Sequence, residues 1–251
     1  MTLSPVSPEE ASARRQLAAC YRLFDYLGWA EMIFNHITLR VGSGDAGNLH
    51  YLINPFGLHY SEVTAANLVK IDVQGRDVDG SGHLVNKAGF VIHGAIHEAR
   101  EDAHCVMHVH TTAGSAVACK ESGLRHDNFY SAMLYGEVAY HDYEGVATGL
   151  AERPRLVASL GNRHTLILRN HGLLVTGANI PQAFQRLWTL QRACEIQLAS
   201  DAGLGPNRQI PVDVLRGVPG TRAGMQVDRE GNAHKMFHAM LRKAGIDADK
   251  L

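Results

Sequence analysis

Apolar positions along the chain repeat with a period near 3.6 in some stretches and 2 in others, and these two rhythms predict the elements. Leu17, Ala18, Tyr21, Leu23, Phe24 and Leu27 keep the helical period up to Gly28. Ahead of them stands Ser7-Pro8-Glu9-Glu10, where serine can cap, proline suits the first turn and Glu10 completes a capping box. Residues 32–41 and 48–53 alternate as strands. Gly42-Ser43-Gly44-Asp45-Ala46-Gly47 between them has the letters of a dinucleotide fingerprint, but no helix follows to face a pyrophosphate, so it reads as a hairpin turn. Residues 61–68 read as a short helix, 68–73 as a strand and 88–100 as a helix carrying His93 and His97. A buried strand follows at 105–110, then a helix at 113–122, an ambiguous stretch at 129–135, a short strand at 138–140 and a helix at 154–160. Residues 166–171 form another apolar strand ending in His171 before Gly172, with 173–177 as its hairpin partner. The long amphipathic helix 180–202 has Pro181 in its first turn and Gly203 at its end. Short strands, flanking helices and hairpin-length connections predict an α/β fold, with α/β/α layers around a central, mainly antiparallel or mixed sheet.

The 251 residues suit one large domain, 1–204, with an appended tail, 205–251. Prolines and glycines dominate 205–230, predicting an extended run before a last helix at about 233–244. A net charge of −1 gives no basic field for nucleic acid or a membrane surface, and no apolar run approaches the roughly 20 residues of a spanning helix. The polar N-terminus is unlike a signal peptide, and Cys20, Cys105, Cys119 and Cys194 lie in apolar contexts without CxxC spacing. These features predict a cytoplasmic protein with reduced, buried thiols and a small-molecule partner.

Candidate chemistry lies in the 15 histidines. In Cys105-Val106-Met107-His108-Val109-His110, the period of 2 sends His108 and His110 to one face and Val109 to the other. His171 supplies a third imidazole in a matching setting. Three neutral nitrogens with a position left open form a catalytic type of divalent-metal site. His93 and His97, four apart on one helix, are an alternative ligand pair, though His97-Glu98-Ala99-Arg100-Glu101 is not HExxH. Asn35 and His36 suit the lining of a substrate pocket, and Asp142 has no evident partner.

His108-x-His110 before a small-residue helix, together with Arg169-Asn170-His171-Gly172-Leu173, resembles the class II aldolase/adducin family. Asn35-His36, Asn54-Pro55-Phe56-Gly57 and Ile92-His93-Gly94-Ala95-Ile96-His97 extend the resemblance over about 16–202. It implies a zinc ion, or manganese or iron in its place, on His108, His110 and His171. It also implies a homotetramer with sites near subunit interfaces. The family's sugar-phosphate aldolases carry a catalytic glutamate four residues before the histidine matching His93, where this chain has Gly89. Their paired phosphate-binding serines are replaced by Lys87 and Ala88. The match is closer to an adducin-like bacterial branch, so fuculose- or ribulose-phosphate activity does not carry over.

The resulting expectation is a metal-dependent carbon–carbon lyase, acting by aldol cleavage or decarboxylation on a small hydroxy- or oxo-carboxylate. Asn35, Asn54, Gly57 and Lys87 are the expected substrate contacts, Lys87 as a mobile point charge for an anion. His93, Lys87 and Tyr130 are the candidates to replace the missing glutamate. Tyr130 lies near where the resemblance implies a tyrosine acid from a neighbouring subunit. Two rivals remain: a non-haem iron oxygenase on the same fold, and a non-catalytic adducin-like binding protein.

Overall fold

A computed structural model of the chain describes residues 6–42, 49–146, 149–224 and 231–251. The elements in order are α1 (Pro8–Tyr26), β1 (His36–Val41), β2 (His50–Ile53), β3 (Val69–Asp72), α2 (Lys87–Ala99), β4 (Cys105–Val109), α3 (Thr112–Ala118), α4 (Phe129–Ala132), β5 (Val138–His141), α5 (Arg153–Leu160), β6 (Thr165–Leu168), β7 (Gly172–Gly177), α6 (Ile180–Asp201), α7 (Val212–Gly224) and α8 (Gly231–Ala244). The strands form one sheet in the order β3-β2-β1-β4-β7-β6-β5. Every pairing is antiparallel except β5 with β6, as the sequence predicts for a mainly antiparallel sheet.

Alternation along the central strands divides the two helical layers. Ile37, Cys105, Met107, Val109, Leu173 and Val175 point into a core shared with Leu17 and Phe24 of α1 and Phe184 and Leu187 of α6. Val106, Leu166, Leu168 and Leu174 point the other way, against Ile92 and Ile96 of α2 and Leu156 and Leu160 of α5. His36 and Thr38 on β1 share the parity of Val106 and His108, since Thr38 faces Val106 and His36 faces His108 across the pairing. His36 and His108 therefore lie on the α2 side, while the larger apolar core lies behind them.

Several expectations need correction. The first strand begins only at His36, because Met32 adopts a left-handed conformation (φ 48°) inside a turn. Only a 3₁₀ turn, Tyr60–Glu62, forms in the expected helix 61–68. There the Thr64 backbone donates to Asn67 Oδ1 and Asn67 to Thr64 Oγ1, side-chain bonds that compete with helix formation. The run 205–230 is not extended throughout, since α7 occupies part of it with Leu215 buried; tertiary burial outweighs the poor helix propensity of glycine and proline. The final helix is docked on the core through Phe237, whose ring packs on Phe184 at 5.5 Å, and Leu241. Cys119 is exposed, unlike the other three cysteines, because α3 ends there and the chain turns outward. Residues 43–48, on which most of the expected glycine turn falls, lie outside the described residues, but β1 and β2 pair as a hairpin on either side.

Candidate metal centre

β4 delivers His108 from its buried fourth position and His110 from the residue just past its end. His171 belongs to neither strand: it closes the three-residue turn between β6 and β7, not a strand end as the sequence suggests. Asn170 makes that turn possible by adopting the left-handed region at φ 57°, which asparagine tolerates. The turn is tied to α3, with Asn170 N–H donating to Ala118 O at 3.1 Å and Ser115 Oγ donating to His171 O at 3.0 Å. Gly172 is required next, since an added Cβ would collide with Val109 O.

The three side chains converge through their Nε2 atoms. His108 Nε2 lies 2.7 Å from that of His110 and 3.3 Å from that of His171, and the last two are 2.9 Å apart. Leu173 O accepts from His108 Nδ1 at 2.9 Å, which fixes the proton on Nδ1 and leaves a lone pair on Nε2. Burial, reinforced by the neighbouring imidazoles, pushes the His108 pKa well down and that of His171 to about 4. His110 is also lowered by burial, against a smaller opposing effect of Glu31. Neutral rings aiming lone pairs at one point repel unless a cation lies between them. The donor set is therefore suited to a divalent ion, and among the described residues it is the group of three or more ligand-type side chains so placed. Nitrogen ligands at about 2.0–2.1 Å in a tetrahedral arrangement stand roughly 3.3 Å apart, close to the spacing found.

His93 and His97 do not join this cluster. Their rings bracket Thr38, with His93 Nδ1 at 2.8 Å and His97 Nε2 at 2.7 Å from its Oγ1. His93 Nε2 is occupied by His36 Nδ1 at 3.0 Å, so the ring is fully buried and has both nitrogens engaged. Burial lowers the pKa of His36 and of His97 to about 3, and that of His93 well below its ordinary value. Lys87 is exposed in the first turn of α2. Tyr130 lies on α4, partly packed on the main core and interacting with Arg192 of α6, without a contact to the triad. Asn54 accepts from the Tyr21 hydroxyl at 2.9 Å, whereas Asn35 donates to Trp29 O at 2.8 Å and leaves a buried Oδ1 without a partner. Gly57 is exposed at φ 100° in the turn after β2. Asp142 has an ion-pair partner after all, Arg169 at 3.6 Å, but is almost fully exposed.

A family model for the class II aldolase and adducin N-terminal domain matches residues 15–198. The chain belongs to the class II aldolase and adducin family. A provisionally named aldolase class 2 protein of Pseudomonas aeruginosa is 43% identical over 95% of this chain and 91% of its own length. Alpha-adducin of Rattus norvegicus is 46% identical over 86% of this chain, which corresponds to only 30% of the adducin. Among solved structures, an aldolase II superfamily protein from Pseudomonas syringae has a TM-score of 0.86 and 42% identity, covering 95% of this chain and 94% of its own. An L-fuculose 1-phosphate aldolase from Glaciozyma antarctica PI12 reaches 0.79 at 27% identity, covering 96% and 93%. These likenesses establish the class II aldolase fold for this chain.

Within this class II aldolase-type fold, position 89 explains a departure visible in the sequence. An added Cβ at Gly89 would meet Ile53 Cδ1 at 2.9 Å and His36 Cδ2 at 3.2 Å. Any side chain at this position would press first on Ile53 and then on the His36 ring. Sequence reasoning placed His36 in the lining of a substrate pocket but not directly opposite His108. The signal for that placement was the parity His36 shares with His108, which only the strand pairing reveals.

Proposed function

We propose that this class II aldolase family member is a metal-dependent carbon–carbon lyase acting on a small hydroxy- or oxo-carboxylate, by aldol cleavage or decarboxylation. The observation that carries the reading is the convergence of His108, His110 and His171 through their Nε2 atoms. A divalent ion on these nitrogens, zinc by preference and manganese or iron otherwise, supplies Lewis acidity that stabilises the negative charge developing as the bond breaks. Lys87, free to move at the start of α2, attracts the carboxylate or another anionic group, and the open acceptor Asn35 Oδ1 and the backbone at Gly57 help place the substrate. Asn54, held by Tyr21, shapes the floor of the site. Tyr130 would act as an acid only in a homotetramer that brings α4 to a neighbouring subunit's site, and His93 acts behind His36. Loss of carbon dioxide needs no base, whereas aldol cleavage needs an acceptor near the substrate hydroxyl, and Gly89 supplies none. A cytoplasmic location fits this chemistry; among the described residues no helix is long and apolar enough to cross a membrane.

The test is metal analysis of protein purified without added ions and then reloaded. One equivalent per chain is expected, followed by carbon dioxide or aldehyde release when 2-oxo acids and aromatic hydroxy acids are screened. Failure to bind stoichiometric metal refutes the reading. Substrate-dependent oxygen uptake with iron, absent with zinc or manganese, would instead select an oxygenase. The 46% identity to alpha-adducin favours a second reading, an assembly module. It is selected if His171→Ala abolishes metal binding but leaves self-assembly and partner binding intact.

A further inference from the structure

Behind the triad runs a continuous line of buried polar groups, of which the proposed reaction has drawn only on His93. His97 Nδ1 lies 2.8 Å from Ala103 O, and His97 Nε2 lies 2.7 Å from Thr38 Oγ1. The same hydroxyl is 2.8 Å from His93 Nδ1, and His93 Nε2 is 3.0 Å from His36 Nδ1. All four side chains are at most 2% exposed, and none of the three rings is paired with a carboxylate. Each imidazole is therefore neutral, with one donor and one acceptor nitrogen.

The carbonyl at one end sets the direction of every bond. Ala103 O can only accept, so His97 Nδ1 carries the proton and Nε2 the lone pair. Thr38 must then donate to His97 and accept from His93 Nδ1. His93 Nε2 is left as an acceptor, so His36 Nδ1 donates to it. His36 Nε2 is consequently unprotonated. Among the described residues that atom has no protein partner. Its ring stands 5.2 Å from that of His108, its direct neighbour across the sheet. Gly89 leaves the ring this position, as a side chain there would press on it.

We infer that His36 Nε2 is a fixed hydrogen-bond acceptor beside the triad, and that it receives the hydroxyl of the bound ligand. The site consequently prefers hydroxy acids to the corresponding oxo acids, whose carbonyl would set lone pair against lone pair. This inference rests on the carboxylate reading above and narrows its substrate class. It also places beside the triad the acceptor that Gly89 cannot provide.

Two measurements test it. In the metal-free, ¹⁵N-labelled protein, long-range proton–nitrogen correlation reads each imidazole tautomer, and Nδ1–H is expected at His36, His93 and His97. In the zinc-loaded protein, calorimetric titration compares lactate with pyruvate, and lactate is expected to bind at least about tenfold tighter, because an unmatched polar group at a built site is rejected strongly. His36→Phe keeps a ring without the lone pair and is expected to bring the two affinities together. Should that variant not fold, the tautomer and the wild-type preference still decide. Nε2–H at His36, or equal affinity for the two acids, overturns the inference. If neither acid binds, the carboxylate reading fails, while the tautomer alone then upholds or overturns the acceptor.

Discussion

Acidification provides a severe test of the buried histidine line. His36, His93 and His97 are neutral in the folded protein, with pKa values lowered by burial to about 3 for the first and last and well down for His93. In the unfolded chain each returns to about 6.5. Below that value the unfolded state takes up protons that the folded state refuses, so stability falls as pH falls, from about 6.5 towards 3, and is complete above 6.5. Each fully buried ring contributes about 1.4 kcal/mol per pH unit in that window. Moving from pH 7 to pH 5 therefore costs about 2 kcal/mol per ring and on the order of 6 kcal/mol for the three, a large share of the roughly 5–15 kcal/mol that holds an ordinary domain together. Urea unfolding of the metal-free protein, followed by circular dichroism at intervals from pH 7.5 to 5, measures this directly. The slope from these three rings is expected to rise from about two protons at pH 6 to nearly three at pH 5, and His97→Gln is expected to remove about one of them. A midpoint that does not move between pH 7 and 5 would refute the assignment of three neutral, enclosed imidazoles.

Three other perturbations probe separate parts of the molecule. His171→Ala removes one of three converging nitrogens and should weaken zinc affinity by more than the roughly 10–100-fold typical of losing a supporting group, measured by competition with a chromophoric chelator. Gly89→Ala drives a methyl against Ile53 and His36, with an expected loss of about 1–3 kcal/mol in denaturant unfolding, smaller if the Ile53 side chain swings aside. Phe237→Ala empties a fully buried ring site between α8 and α6 and should cost about 3–5 kcal/mol; a cost below about 1 kcal/mol would mean that the terminal helix is not part of the cooperative core.

Periodicity made most of the elements legible in the sequence. Strict alternation in β4 told which residues share a face, whereas the need for glycine at 172, where β7 runs against Val109 O, emerged only from the packing. What periodicity missed were places where a local competitor acts, such as the Thr64–Asn67 side-chain bonds that end a helix before it starts. Burial of Leu215 likewise stabilised α7 in a stretch whose prolines and glycines argue for an irregular path.

The converging histidines could be nominated from the amino-acid order, His108 and His110 because side-chain direction along a strand follows from backbone geometry and needs no partner. The donor identity of each ring could not. Whether an imidazole nitrogen carries a proton depends on which oxygen or nitrogen lies opposite it, and those partners come from β1, β7, α2 and the turn around Ala103, brought together by strand pairing and helix packing. The chain order thus nominated the converging histidines, while tertiary contacts chose where their protons, and those of the histidines behind them, reside.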